Sequence, residues 1–423
     1  MRNTAPGWVW GLVVAAAMAS APARAQEMPS NEQAELRAGL SEAGSSQIEF
    51  IRAIERHLQK YPRTAQRAEL ERALVKASME ARDSRRIVLY GERVIEREPA
   101  NTELLERVAR SLLATESAEN AKRAMEYAKR LEAAVRSQAE LAPGVAGAAG
   151  QWEQRQILLG KALVYQSRAA GNAGQAAQAV ELAKKSFAEA PSAESAREIA
   201  RWLDRLGRTA EAVPYLCDAF MLSDSQAEAD GRVKDRARMA EWQKKLAMSD
   251  AALGEQLLAG FDRVRKLVDA RKARLRAMDP NVFTTEPMEF VIQGVEGDKL
   301  EMAKLKGKVV VVDFWATWCG PCRAQQPLYE QVKQRFAGNA GVVFLNLSTD
   351  EDRSLVKPFL ARNGWNKTVY FDDGLAGLLR VNSIPTTVVF NPRGEVSARM
   401  NGYIMEKFVD MLTDRIQQAL GEK

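Results

Sequence analysis

The chain has 423 residues, 46% of them hydrophobic and 27% charged, which marks it as globular and as too long for one ordinary domain. Lys and Arg outnumber Asp and Glu by only 61 to 55, a net charge of +6. The basic residues are interleaved with acidic ones, as on solvated helix faces, so the composition gives no footprint for nucleic acid.

In chain order, residues 1–25 come first. They carry a sparse positive start at Arg2, an apolar stretch at 8–19 and an Ala23-Arg24-Ala25 ending. This is the pattern of a secretory signal cleaved after Ala25. The alternative, an uncleaved anchor, meets an apolar stretch shorter than the ~20 residues that span a bilayer. No cysteine lies near the cleavage point to carry a lipid, and no later run reaches spanning length. The expected mature chain is therefore exported, in a periplasm or cell envelope, and soluble.

Residues 26–280 contain no strand-like run; apolar positions recur at helical spacing among Ala, Glu, Arg and Lys, which predicts an all-α region. The pattern recurs in pairs. Leu70 to Leu74 with Val88 to Ile95, Leu104 to Ala109 with Ala124 to Leu131, Leu158 to Leu163 with Ala179 to Phe187, and Ala196 to Leu203 with Ala212 to Leu216 each read as two helices. A spacing near 34–37 residues, with small residues where helices cross, resembles tetratricopeptide repeats. Residues 141–150, rich in Ala and Gly, interrupt the register, and a non-repeating bundle has the same composition. The resemblance implies a concave surface for a protein partner; the alternative is a spacer. A long charged helix over 246–278 then meets Asp279-Pro280, which stops it, and the domain boundary is expected there.

Residues 281–423 change character. Residues 288–292 alternate as a strand, and a turn leads to Leu300. Four valines, Val309 to Val312, followed by Asp313, Phe314 and Trp315, have the length and composition of a strand buried on both faces. It ends at Cys319-Gly320-Pro321-Cys322. Proline in the first turn predicts a helix with Cys319 at its N-cap, and the i, i+3 spacing sets Cys322 over the same face. The two sulfurs are then close enough to bond, and the helix N-terminus favours a thiolate on Cys319. Cys319 is expected to be exposed and nucleophilic, with Cys322 buried behind it.

Other readings of the pair were weighed on residues. Structural zinc needs two more ligands, and only Cys217 and His57 remain, far away in sequence. Covalent haem needs a histidine after the second cysteine, where Arg323 stands. A purely structural disulfide closing so small a loop gains little from unfolded-state entropy. No cofactor and no metal are expected. Cys217, in an apolar helical stretch, is expected to be buried packing.

Val312-Asp-Phe-Trp-Ala-Thr-Trp-Cys-Gly-Pro-Cys322 resembles the active-site segment of thioredoxins, and the last third of the chain is similar to the exported thioredoxin-fold reductases related to TlpA. This resemblance implies an α/β thioredoxin fold for the last third, so that the fold class expected of the whole chain is an all-α, tetratricopeptide-like region followed by a thioredoxin fold. Its elements would be a helix to about Phe336 bent at Pro327, a strand at 342–347, helices at 352–363 and 374–380 around an extended 368–371, and a strand entered through Ser383-Ile-Pro-Thr. An edge strand at 396–400 and a helix at 405–420 would close the domain. It further implies that Ile384-Pro385-Thr386 is the loop whose proline is cis and faces the disulfide, with Trp318, Ile384 and Thr386 at the substrate. A trans proline starting a strand is the alternative.

Asp313, six residues before Cys319 in an apolar strand, should have its pKa raised by desolvation, and the resemblance implies that it carries a proton for Cys322. A structural hydrogen bond is its alternative. Two departures stand out. Gln325 occupies a position that is glutamate in some TlpA-like reductases, and Phe344 precedes Leu345-Asn346 where thioredoxins have lysine. The implied activity is thiol–disulfide exchange on protein or peptide disulfides in the reducing direction, fed by an electron donor such as a membrane thiol reductase. The rival from another class is a helical-repeat adaptor whose thioredoxin domain docks or senses without turnover; disulfide isomerisation is a third reading.

Overall fold

In a computed structural model of the chain, residues 30–422 are described, apart from 116, 146 and 224–228. The expected signal segment at 1–25 lies outside the described residues. Contacts divide the chain into two units: one holds the described residues up to Ala139 together with Gln154–Asp269, the other Glu140–Glu153 together with those from Ala270 on. Among the described residues no helix is long and apolar enough to cross a membrane.

The first unit is built of helices α1 (Ser30–Ala43), α2 (Gln47–Lys60), α3 (Arg67–Glu80), α4 (Ser84–Arg97), α5 (Thr102–Leu112), α6 (Ala118–Arg136), α7 (Ala148–Asn172), α8 (Ala176–Glu189), α9 (Ala193–Arg205), α10 (Thr209–Leu222), α11 (Ala229–Lys245) and α12 (Asp250–Met278); the ends of α7 and α12 reach into the second unit. Capping side chains start many of them. Ser46, Asp83, Asn101, Ser117 and Ser192 each accept a backbone N–H from the first turn, contacts worth about 1 kcal/mol apiece. The second helices of successive pairs begin at Gln47, Ser84 and Ala118, then at Ala176 and Thr209, so the interval stretches only where residues 141–150 intervene.

Alternate helices also touch. Arg86 of α4 reaches Glu55 of α2 at 2.8 Å, and Arg168 of α7 reaches Glu198 of α9 at 2.7 Å. Gly171 is needed where α7 crosses α9, because a Cβ there would overlap the fully buried Trp202 indole. Gly171→Ala should therefore destabilise this unit by about 1–3 kcal/mol, read as a lower urea midpoint. Cys217 is fully buried beside Met239, and burial pushes its thiol up to about 11, which leaves it inert at neutral pH.

In the second unit, Ala149 and Trp152 at the start of α7 pack on Leu275, Met278 and Val282, and Arg271 pairs with Glu153 at 2.8 Å. The rest is an α/β domain. A hairpin, β1 (Val291–Gln293) and β2 (Lys299–Glu301), precedes β3 (Val309–Trp315), α13 (Gly320–Arg335), β4 (Val342–Ser348), α14 (Val356–Arg362), β5 (Val369–Phe371), α15 (Leu375–Leu378), β6 (Thr386–Phe390), β7 (Val396–Asn401) and α16 (Phe408–Gly421). The sheet order is β5-β4-β3-β6-β7, with β4 parallel to both β3 and β5, and β6 antiparallel to β3 and β7. This is the mixed sheet of a thioredoxin-like domain.

Strand β3 lies at the centre and is buried along its length. Val309 and Val311 pack with Tyr329 and Val332 of α13 and Phe408, Leu412 and Ile416 of α16. Val310, Val312 and Phe314 face the opposite core with Phe290, Ile292, Met302 and Leu375. Each buried valine contributes roughly 1.5–3 kcal/mol, which fixes the strand and so the position of the cysteines after it. Some expected elements are shorter. The helix expected at 374–380 spans only Leu375–Leu378, because Arg380 is left-handed at φ 53°, and the one expected at 352–363 starts with the 3-10 turn Arg353–Leu355. The first three residues of β4 are half-buried and the rest buried, since the strand's outer end is only partly covered.

Candidate active site at the Cys319–Cys322 disulfide

Strand β3 delivers the chain to Ala316-Thr317-Trp318, and Cys319 becomes the N-cap of α13. Its Sγ accepts the Cys322 N–H at 3.1 Å, so one otherwise orphaned helix amide points at the sulfur. Cys319 and Cys322 are joined in a disulfide with Cα atoms 5.3 Å apart. The expectation that Cys319 is exposed needs correction: in this oxidised form it is 3% exposed and Cys322 is 5% exposed. Both sulfurs pack in an apolar cluster with Trp315, Ala316, Val356, Phe359 and Ile384, which covers the nucleophile as well as its partner.

The Ile384–Pro385 peptide is cis, and Ile384 is one of the residues lying against the disulfide cluster. Gly402 N–H donates to the Pro385 carbonyl at 2.7 Å, tying this loop to the end of β7. Trp318 is 70% exposed beside Cys319. Thr386 is buried instead, its hydroxyl donating to the Ser383 carbonyl at 2.7 Å. The site thus brings together Cys319, Cys322, Trp318 and Ile384, with Pro385 next in the chain after Ile384 and the Thr386 side chain turned inward.

In β3, Asp313 is 4% exposed. Its Oδ1 accepts from Gln325 Nε2 at 2.9 Å and from the Thr387 hydroxyl at 3.2 Å. Burial pushes its carboxyl up to about 6, while Lys367 and the hydrogen bonds from Thr387 and Gln325 pull it back down. Lys367 is a residue that sequence reasoning did not find. Its Nζ donates to Gln326 Oε1 at 2.6 Å and Asn346 Oδ1 at 3.3 Å, and lies 4.6 and 4.4 Å from the ring centres of Trp315 and Trp365. Burial lowers it to about 8, opposed by the charge on Asp313. The charge absent at Phe344 thus comes from the connection between α14 and β5. Lys367→Met should move the titration of Asp313 above about 6, because the ammonium favours the carboxylate; carboxyl NMR shifts against pH would read this directly.

Asp350 also escaped notice. Buried, it accepts the Thr317 N–H at 2.9 Å and hydroxyl at 2.6 Å and the Ser348 hydroxyl at 2.8 Å, which holds the turn that carries Trp318. The only hint in the sequence is a Ser-Thr-Asp run just after a strand, a common side-chain-to-backbone turn. Among the described residues no group of His, Cys, Asp or Glu is arranged to hold a metal ion.

A mixed sheet centred on a buried strand, with a dithiol at the N-terminus of the following helix and a cis-proline loop beside it, defines the thioredoxin-like class of disulfide-exchange proteins. A family model described as Thioredoxin-like matches residues 307–396. The thiol-disulfide oxidoreductase ResA of Bacillus thuringiensis is 30% identical over 159 residues, 37% of this chain and 84% of that protein. ResA of Halalkalibacterium halodurans is 26% identical over 174 residues, 41% of this chain and 91% of that protein. A solved structure, a putative thiol:disulfide interchange protein DsbE from Chlorobium tepidum, is 28% identical with a TM-score of 0.30, covering 32% of this chain and 96% of its own. The chain belongs to the thioredoxin-like thiol–disulfide oxidoreductases, and is an enzyme of that class.

Proposed function

We propose that this protein is an exported reductase of protein disulfides. The observation that carries the reading is the Cys319–Cys322 disulfide at the N-terminus of the helix whose Gln325 donates to the buried carboxyl of Asp313. In the reduced protein the Cys319 thiolate attacks one sulfur of a substrate disulfide. A Cys319–substrate S–S bond forms and the other substrate sulfur leaves as a thiolate, to be protonated by solvent. Cys322 gives its proton to the Asp313 carboxylate and attacks Cys319. The mixed disulfide breaks, the second substrate sulfur leaves as a thiolate, and the Cys319–Cys322 bond re-forms. Two electrons have passed to the substrate. A donor dithiol, such as that of a membrane thiol reductase, restores them by the same exchange and is itself oxidised.

Trp318 and Ile384 offer the apolar contact for a substrate segment next to the nucleophile. Gly320 and Pro321 add no donor or charge that would hold the pair strongly reduced, which favours the reductase direction over an oxidase or isomerase. The signal-like segment at 1–25 supports export. The paired helices of the first unit, tetratricopeptide-like in their spacing, are the surface we assign to a protein partner. Reduction of insulin by catalytic amounts of the full-length protein with a dithiol reductant tests the enzyme. A rate no higher than reductant alone would leave the adaptor reading standing.

A further inference from the structure

Gln325 stands one turn after Cys322 on α13 and is 1% exposed. Its Nε2 donates to Asp313, but its Oε1 has no hydrogen-bond partner among the described residues. A buried amide oxygen without a donor is costly enough to need a reason. The surrounding donors are committed elsewhere. The Thr387 hydroxyl from β6 donates to Asp313, the Tyr329 hydroxyl from α13 lies 3.3 Å from the carbonyls of Val311 and Leu345, and Lys367 is held by Gln326, Asn346 and two indoles. The Trp315 Nε1 is likewise unpaired, within the aromatic cluster of Phe359 and Trp365. Of the charges on α13, Glu330 accepts from Gln326 and lies 3.8 Å from Lys333, and Arg323 is exposed.

The disulfide form carries no hydrogen on sulfur. Reduction breaks the S–S bond, each sulfur takes one electron, and Cys322 gains a proton. Cys322 and Gln325 are three residues apart on one helix, so their side chains are neighbours. An S–H donor, weak but real, therefore appears beside the spare acceptor only when the pair is reduced. We infer that Gln325 is a redox-linked positioning residue: in the reduced protein its Oε1 accepts the Cys322 S–H while its Nε2 holds the Asp313 carboxylate, so one carboxamide orients both partners of the resolving proton transfer. The inference rests on the assignment of Cys322 as resolving thiol and Asp313 as its proton acceptor.

The bond stabilises the dithiol against the disulfide. In full-length Gln325→Met, equilibrium with glutathione should favour the disulfide by about three- to tenfold more than in the wild type, up to about 30 mV more negative. The infrared S–H band of Cys322, isolated as the difference between the reduced wild type and the variant, should move to the free-thiol position, which a merely structural role would not cause. Gln325→Glu keeps an acceptor oxygen and should keep the shifted band. An unmoved equilibrium and band in Gln325→Met overturns the inference, as does a free-thiol band in Gln325→Glu should the methionine variant fail to fold. Asp313→Asn separates this from the reading beneath it: an unchanged pH profile of turnover would remove Asp313 as acceptor, while the band measurement would still decide the bond to Gln325.

Discussion

Cys322→Ser protein offered disulfide-bonded substrates will accumulate as mixed disulfides through Cys319, with turnover at background, whereas Cys319→Ser will form no adducts and also lose turnover. The asymmetry follows from the helix start. Cys319 receives the Cys322 amide at 3.1 Å and lies at the positive end of α13, where a negative charge is worth about 0.3–1 kcal/mol and up to ~2 when partly buried. Cys322 lies inside the first turn, with Asp313 as its proposed proton acceptor. Alkylation of the reduced protein at neutral pH should accordingly label Cys319 first. Non-reducing gels and mass spectrometry of the adducts read the outcome; adducts through Cys322 would reverse the roles.

Asp313→Asn will make the protein more stable at neutral pH and slower. The carboxyl is raised from 3.8 to about 6 in the folded state, mainly by burial. The folded protein therefore binds this proton more tightly than the unfolded chain. The stability it lends is full below about pH 4 and is lost as pH rises to about 6. Above that, a charged Asp313 costs on the order of 2–3 kcal/mol, which asparagine removes while still accepting from Gln325. Urea unfolding should show the variant's advantage at pH 7–8 and its disappearance near pH 4. Loss of the proton acceptor should slow resolution of the mixed disulfide by about a hundredfold and abolish the acid limb of the rate near pH 6. A variant both less stable and unchanged in pH profile would reduce Asp313 to a structural role.

What could be read from the sequence was what local chemistry dictates. Four valines announced β3 and proline in the turn after Cys319 announced the helix start; the cis loop at Ile384-Pro385-Thr386 was implied only by the resemblance to thioredoxins. Helical periodicity located the paired helices. The missing part depends on distant residues meeting. Lys367 lies in an unremarkable connection, and its approach to Asp313 exists only because β5 pairs beside β4. Asp350 reaches Thr317 across the parallel strands β3 and β4, and nothing near it in sequence points there. Residues 141–150 read as a break in a helical array, yet Ala149, with Trp152 just beyond, packs with Leu275 and Met278 in the second unit, a contact spanning more than a hundred positions. The burial of Cys319 was missed for the same reason, since its covering residues, Val356, Phe359 and Ile384, come from α14 and the loop before β6.

The reductase assignment is tested most directly by a redox titration of the Cys319–Cys322 pair against glutathione or dithiothreitol. Gly320 and Pro321 contribute no charge, and a charged Asp313 in the strand that leads to the pair disfavours thiolate, so nothing strongly stabilises the reduced form. Arg323 opposes this from the exposed helix surface, where salt screens it. The account predicts a potential near the roughly −270 mV of thioredoxin; a value near the roughly −120 mV of a strong oxidant would contradict it and make disulfide formation or isomerisation the activity.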